Sequence, residues 1–342
     1  MKLSRITSFV SLFLAVILCA PAHAASPDAH SALPGTLNYV EGQASIAGNN
    51  LNGSSVGSTT LQPGQTLETG KGKAEILLTP GVFLRVDENS AVKMVSPSIT
   101  NTEVQLNQGR AMVEVAEIHD QNNLRVSEGG IQSRLVKKGL YEFDAGKQQV
   151  LVFNGKADVQ DGDRTVEVKG SHELTLNAGS KPKSHGFDKG EYKQSDLYQW
   201  SSLRSSYLAE ANASTADVYL SNGYFGPGWF GTGWYWAPGF GSYTFIPGDG
   251  VLYSPFGWGF YSPLVVYRAP WRYGYSGWPY GFRRPGYAVG VRPGARAFTH
   301  ALNTAPHAPM VHAGPVVHAG PAFHGGFAHA GFGGGHVTGT HH

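Results

Sequence analysis

The stretch KQQVLVFNGKADVQDGDRTVEVKGSHELTLNAG, residues 147–179, decides the fold class. Its apolar residues come in alternating pairs, Val150/Val152, Val166/Val168 and Leu174/Leu176. A period of two sends each pair to one face of a strand, and each run is about five residues long, the common strand length. Asn154-Gly155 and Asp161-Gly162 stand between the runs and supply the positive φ angles that tight hairpin turns demand. Working outward, AEILLTPGVFLRVDENSAVKMV (74–95) repeats the pattern around Pro80-Gly81 and Glu88-Asn89, and VQLNQGRAMVEVAE (104–117) around Gln108-Gly109. Regular turns of this kind predict an all-β domain of stacked antiparallel hairpins, β-solenoid-like or roll-like, over residues 35–180.

The succession YVEGQASI (39–46), LQPGQTLETGKGKAEILLTPGVFLRVDENSAVKM (61–94), VQLNQGRAMVEV (104–115), LVFNGKADV (151–159) and EVKGSHELTL (167–176) resembles the FecR domain of bacterial envelope proteins. The most telling run goes from Leu67-Glu68-Thr69-Gly70 through Gly72, Ala74 and Gly81 to Leu84-Arg85-Val86. The resemblance covers less than half of the chain. Where the family has a Gly-Thr-x-Phe element, this chain reads Gly139-Leu140-Tyr141-Glu142-Phe143, which keeps the strand and loses any contact made by the Thr. The resemblance implies an all-β extracytoplasmic module and, in the name-giving sensors, relay of receptor occupancy to a cytoplasmic sigma factor. That relay needs a cytoplasmic segment and a membrane span ahead of the β domain, so direct contact with a sigma factor is not expected here.

The expectation for the N-terminus is a cleavable export signal at residues 1–24. Lys2 and Arg5 precede an apolar run from Phe9 to Ala20 that is too short to span a bilayer, and Ala22-His23-Ala24 offers a small-x-small cleavage site. Cleavage after Ala24 removes Cys19, the single cysteine, and with it disulfide and thiolate chemistry. Lipid attachment at Cys19 is disfavoured by Leu18, where lipoprotein signals want a small residue. The processed chain is then periplasmic or secreted, with no transmembrane span. Every acidic residue lies at or before Asp249, whereas Arg268, Arg272, Arg283, Arg284, Arg292 and Arg296 follow unopposed.

Residues 181–195 read as a polar linker. From Asp196, a plausible N-cap, Leu197, Trp200, Leu203, Tyr207, Leu208 and Ala211 recur at three- and four-residue spacing, which predicts a helix over 196–213 packed on the β domain, with partner binding as the alternative. Residues 214–287 hold six of the seven tryptophans among Gly and Pro, which forbid long regular elements. Short aromatic hairpins packing on the first domain are one reading. The other is a binding surface in which Trp229, Trp234, Trp236, Trp258, Trp271 and Trp278 stack on sugars or sit at a membrane interface.

Residues 288–342 read as a disordered tail rich in His, Gly, Ala and Pro. His307, His312, His318, His324, His329 and His336 recur every five to seven residues, and His341 and His342 close the chain. Neutral imidazoles ligate Zn, Cu and Ni, so these are the candidate metal ligands, at weak affinity because a flexible chain must close each loop. The same spacing fits an expanding compositional repeat. No other cofactor is expected.

Three motifs fail on context. Gly53-Ser54-Ser55-Val56-Gly57 matches a nucleophile elbow but runs into a loop rather than a helix. His172-Glu173 has Leu176 where a zinc-protease helix needs its second His. Asp161 and Asp163 lack the further oxygens of a calcium loop. The reading is therefore a non-enzymatic binding or scaffolding component of the bacterial envelope, with an envelope protein or cell-wall polysaccharide as partner and no nucleic acid. Metal binding through the tail and an accessory role in FecR-like surface signalling are the alternatives.

Overall fold

The computed structural model describes residues 32–175, 182–221 and 231–268. The leader, the histidine tail, Trp229, Trp271 and Trp278 lie outside these residues. Fifteen strands form one sheet: β1 (Leu37–Ile46), β2 (Asn49–Asn50), β3 (Thr66–Leu77), β4 (Val82–Val86), β5 (Ala91–Ser98), β6 (Asn101–Gln108), β7 (Arg110–Val115), β8 (Arg125–Glu128), β9 (Ile131–Leu135), β10 (Gly139–Asp144), β11 (Gln149–Asn154), β12 (Lys156–Asp161), β13 (Arg164–Lys169), β14 (His172–Thr175) and β15 (His185–Gly186). The fold class is mostly β and antiparallel, as the alternation predicts; β6 and β8 are the parallel pair.

The hinge of the sheet is β3. Its first residues pair with β5 and its last four with β4, so the order β13-β12-β9-β8-β6-β5-β3-β4-β7-β10-β11-β14-β15 doubles back at this strand. β1 runs along β3 and bends with it, with a register shift beside Gly42. A Cβ on Gly42, whose φ is +64°, would lie 2.1 Å from the Lys71 carbonyl oxygen, so the bend requires glycine. The two arms face each other across one core. Leu67, Val92, Met94, Val126 and Val159 come from the first layer; Ile76, Leu84, Val113, Phe143 and Val152 come from the second.

The turns divide into two kinds. Pro80-Gly81 closes the β3–β4 hairpin, with Gly81 at φ +80°, and Gly162 closes the β12–β13 hairpin. Glu88-Asn89, Gln108-Gly109 and Asn154-Gly155 do not close hairpins, because the strands on either side of each belong to different layers. They are corners at which the chain crosses the core. Asn89, Gly109 and Gly155 take φ of 51°, 74° and 100°, so the residues read as hairpin turns serve their positive φ in another role.

Beyond the sheet come α1 (Lys189–Tyr192), α2 (Asp196–Ser221), two hairpins built from β16 (Gly233–Ala237) with β17 (Ser242–Ile246) and β18 (Val251–Tyr253) with β19 (Gly259–Tyr261), and α3 (Pro263–Arg268). The predicted linker thus holds β15 and α1, and the helix runs eight residues past the expected 213. Ser195, not Asp196, caps it, its hydroxyl accepting from the Tyr198 amide at 3.3 Å. Of the predicted stripe, Leu197, Leu208 and Ala211 are buried, whereas Leu203 is 49% exposed. Polar residues share the buried face with them: Ser201, Arg204, Ser205, Asn212 and Thr215 are buried alongside Ala209 and Ala216.

α2 and the hairpins cover the outer face of the second layer. Leu77 and Phe83 of the sheet pack with Leu208, Trp234, Tyr243, Phe245 and Phe260, and Met112, Leu140, Leu151 and Phe153 pack with Leu197 and Phe256. Edge-on ring pairs tie these parts together, Phe83 of the sheet with Trp234 of β16 at 4.9 Å and Tyr198 of α2 with Phe256 between β18 and β19 at 5.2 Å between centroids.

Candidate functional site

The densest polar constellation lies in the interface beneath α2. Strand alternation puts Asn38, Glu75, Arg85 and Glu114 on the outer face of the second layer, and register lines them up: Glu75 opposite Arg85, and Phe83 opposite Glu114. Arg85 donates from Nε to Glu75 at 2.9 Å and from Nη1 to Glu114 at 2.5 Å, and all three side chains are fully buried. The helix completes the set. Arg204 donates to Glu75 at 3.0 Å, and the Ser205 hydroxyl donates to Glu114 at 2.8 Å. The Arg204 guanidinium also sits 4.0 Å from the centre of the Tyr39 ring.

The two carboxylates sit in unequal fields. Burial pushes Glu75 up, but Arg204 and Arg85 together outweigh it and hold the group below its ordinary range. Burial also pushes Glu114 up, and there a single guanidinium, Arg85, and the Ser205 hydroxyl do not fully offset it. Arg85 itself gains basicity because Glu114 and Glu75 outweigh its own desolvation.

Two asparagines join the hairpins to this interface. Asn38 accepts from the Tyr243 amide at 2.7 Å and donates to the Tyr243 carbonyl at 3.1 Å. Asn212 accepts from the Tyr261 amide at 2.8 Å and donates to the Phe245 carbonyl at 2.9 Å. At the start of α2, Lys73 meets Asp196 at 2.6 Å. Opposite charges matched in register between two elements fix which face of the helix docks and at what height. The arrangement holds one element in place against another.

The outer face of the first layer is of another kind. No Phe, Tyr or Trp occurs between residues 84 and 140, so its central strands present no aromatic ring. Ion pairs cross it: Glu103 with Arg125 at 2.8 Å and Arg134 with Asp158 at 2.7 Å. Beside them Gln105, Ser127 and Gln132 stand in register as a half-exposed polar row.

Of the predicted binding tryptophans, Trp234 is a core residue, 7% exposed, against Phe83 and Phe245. A ring of that size gains a large apolar burial there, with edge-on contacts to both phenyl rings. Trp236 and Trp258 are half-buried, Trp236 stacking edge-on with Tyr243 at 5.1 Å. The structure therefore brings no exposed tryptophan row together among the described residues. Gly53–Ser55 is a single 3-10 turn, His172 and Glu173 lie on β14, and Asp161 and Asp163 belong to the β12–β13 hairpin. The eight tail histidines lie outside the described residues.

Glu75, Arg85, Glu114 and Arg204 escape sequence reading because each looks like a solvent-facing charge on an alternating strand or a polar helix. One signal was present: Ser201, Arg204, Ser205, Leu208, Asn212 and Thr215 recur at helical spacing as well as the apolar stripe does.

Residues 65–158 match the family model described as FecR protein, a span that runs from β3 into β12 and so takes in strands of both layers. No curated protein matches the sequence. Two crystal structures of a candidate anti-sigma factor from Parabacteroides distasonis, at 1.65 and 2.50 Å resolution, align at a TM-score of 0.33 and 12% identity over 37% of this chain. The chain spans 62% and 61% of the length of those two chains.

Proposed function

We propose that this chain, whose residues 65–158 carry the FecR match, is a non-enzymatic component of the bacterial cell envelope that acts by contact with other envelope proteins, in the manner of a FecR-like surface-signalling accessory. The family match over the strands of both layers is the observation that carries the reading. No helix among the described residues is long and apolar enough to cross a membrane.

Protein is favoured over polysaccharide as the partner. Sugar recognition leans on exposed aromatic rings, and here Trp234, Tyr243, Phe245 and Phe260 are consumed in packing α2 and the hairpins onto the sheet. The face left to solvent is the first layer's polar one, with amide and hydroxyl side chains suited to hydrogen bonding with another protein's surface.

Photo-crosslinkers placed at Gln105, Ser127 and Gln132 in living cells test this directly. The reading expects a discrete envelope protein captured from these three positions and not from Leu203 on the covering helix. Capture from Leu203 alone would move the site to the helix. Retention of the purified chain on cell-wall polymer, with no protein captured, would refute the protein reading.

A further inference from the structure

Among the buried acids outside the constellation beneath α2, Asp87, Glu142 and Asp144 lie near basic side chains, and Glu128 does not. Glu128 ends β8 in the first layer, two residues after the core residue Val126, and is 1% exposed. Neither of its carboxyl oxygens has a hydrogen-bond partner, and the other buried residues of β8 and β9, Val126, Ile131, Ser133 and Leu135, are apolar or hydroxylic. The turn that follows, Gly129-Gly130, has positive φ at both residues, and Gly129 lies so close to Gln148 that a Cβ there would stand 3.0 Å from its Nε2. Gln148 belongs to the β10–β11 turn of the second layer. Two turns from opposite layers therefore meet at this end of the sandwich, with Glu128 at the junction.

The charges around the junction are accounted for. Asp144, at the end of β10, is the carboxylate that acts on Glu128. Lys147 lies 3.8 Å from Asp144 and is largely exposed. Glu142 faces Arg110 of β7 at 3.7 Å, and Arg110 is itself held by Asp87 at 2.5 Å. On β8 and the strands beside it, Arg125 pairs with Glu103 and Arg134 with Asp158. No cation among the described residues is paired with Glu128. Burial, with Asp144 adding to it, pushes the carboxyl up to about 8.

We propose that Glu128 is a proton-operated catch between the two layers: protonated, it lets the β8–β9 turn close on the β10–β11 turn, and on losing its proton it parts them. An ionised Glu128 would be an unpaired buried charge beside Asp144, and the inexpensive escape is local opening of the glycine turn into water. The sign follows from linkage. The closed form holds a proton that the open form releases, so closure is strongest below about pH 4.5 and weakens as pH rises to about 8.

The test is hydrogen exchange on the full chain, read at the amides of Gly129, Gly130 and Gln148 and corrected for intrinsic rates. From pH 6 to pH 9 the wild type should lose protection at least about tenfold, and Glu128→Gln should stay flat. Asp144→Asn removes the neighbouring negative charge that helps hold the Glu128 proton, so burial alone remains and the transition should move to lower pH than in the wild type. Equal pH responses in wild type and Glu128→Gln overturn the proposal. If Glu128→Gln does not fold, an Asp144→Asn midpoint identical to wild type overturns it instead.

Discussion

The two layers of the sheet are written in the same alternating code and have different fates. In β9 of the first layer, Ile131, Ser133 and Leu135 are buried while Gln132 and Arg134 are not. In β4 of the second layer all five residues are buried, Phe83 and Arg85 as completely as Val82, Leu84 and Val86. One layer keeps a wet face; the other is covered on both sides. Alternation normally signals a half-solvated sheet, and here it signals that only where no later element returns to cover it. The lesson is that a charged outer row on a strand is not evidence of solvent. Glu75, Arg85 and Glu114 can be buried because α2 brings Arg204 and Ser205 to meet them, so desolvation is offset by matched partners rather than avoided.

Breaking the covered face at its centre should give the largest effect. Arg85→Met leaves Glu75 with Arg204 and Asn38 and leaves Glu114 with a hydroxyl, both carboxylates still buried. Removing one member of a buried ionic set costs about 3–5 kcal/mol, so urea unfolding should show an unfolding free energy lowered by that much or loss of folded protein. A change under about 1 kcal/mol would mean that this face is wet after all, and that the two layers are alike.

Much of the fold was legible from residues such as Val150, Val152 and Gly81, whose period and backbone freedom act locally. What was not legible depended on distant parts of the chain meeting. Asn154-Gly155 reads equally well as a hairpin turn or a corner, because a positive φ does not say which layer the next strand joins. Arg204 reads as solvent-facing, because its partner Glu75 lies 129 residues away. Composition alone lets Trp234 be either a packed hairpin residue or part of a binding surface, and its place in the core rests on Phe83 and Phe245, each in a separate strand. The candidate site was the least legible part, since its chemistry is complementarity between two elements and neither carries it alone.

Arg204→Met tests the same face from the helix side and should cost less, about 1.5–3 kcal/mol, the usual worth of hydrogen bonds to a charged group. Glu75 keeps Arg85 and Asn38 in this variant, and the side-chain stem still covers Tyr39. The expected signature is earlier proteolytic cutting within α2 while the strands of the first layer stay protected. If first-layer and second-layer amides lose protection together, the two layers do not differ in their dependence on the helix.

Glu142 sharpens the comparison through pH. Burial pushes it up to about 7, with Arg110 pulling back and Asp87 and Asp144 adding to the rise. A carboxyl raised in the folded state holds a proton that the unfolded chain has released. Its contribution to stability is complete below about pH 4.5 and is lost as pH rises to about 7. Glu142→Gln should flatten that part of the stability profile and gain on the wild type by about 1–3 kcal/mol near pH 8. A profile of unchanged slope between pH 5 and 7 would show that Arg110 keeps Glu142 ionised throughout.

The smallest effect belongs to the open layer. Arg134 meets Asp158 at 2.7 Å across β9 and β12, but the Arg134 side chain is 56% exposed, so water and salt screen the pair and its loss frees a flexible side chain. Arg134→Ala should therefore change the urea unfolding free energy by less than about 1 kcal/mol, and the change should shrink further in about 0.5 M salt as the Debye length falls. Arg85 and Arg134 both sit on strands of one sheet, both pair with carboxylates across it, and both alternate with apolar neighbours. If the two substitutions cost the same, the covering helix contributes nothing to how the sheet holds its charges. If they differ severalfold, the difference measures what α2 excludes from one face and leaves on the other.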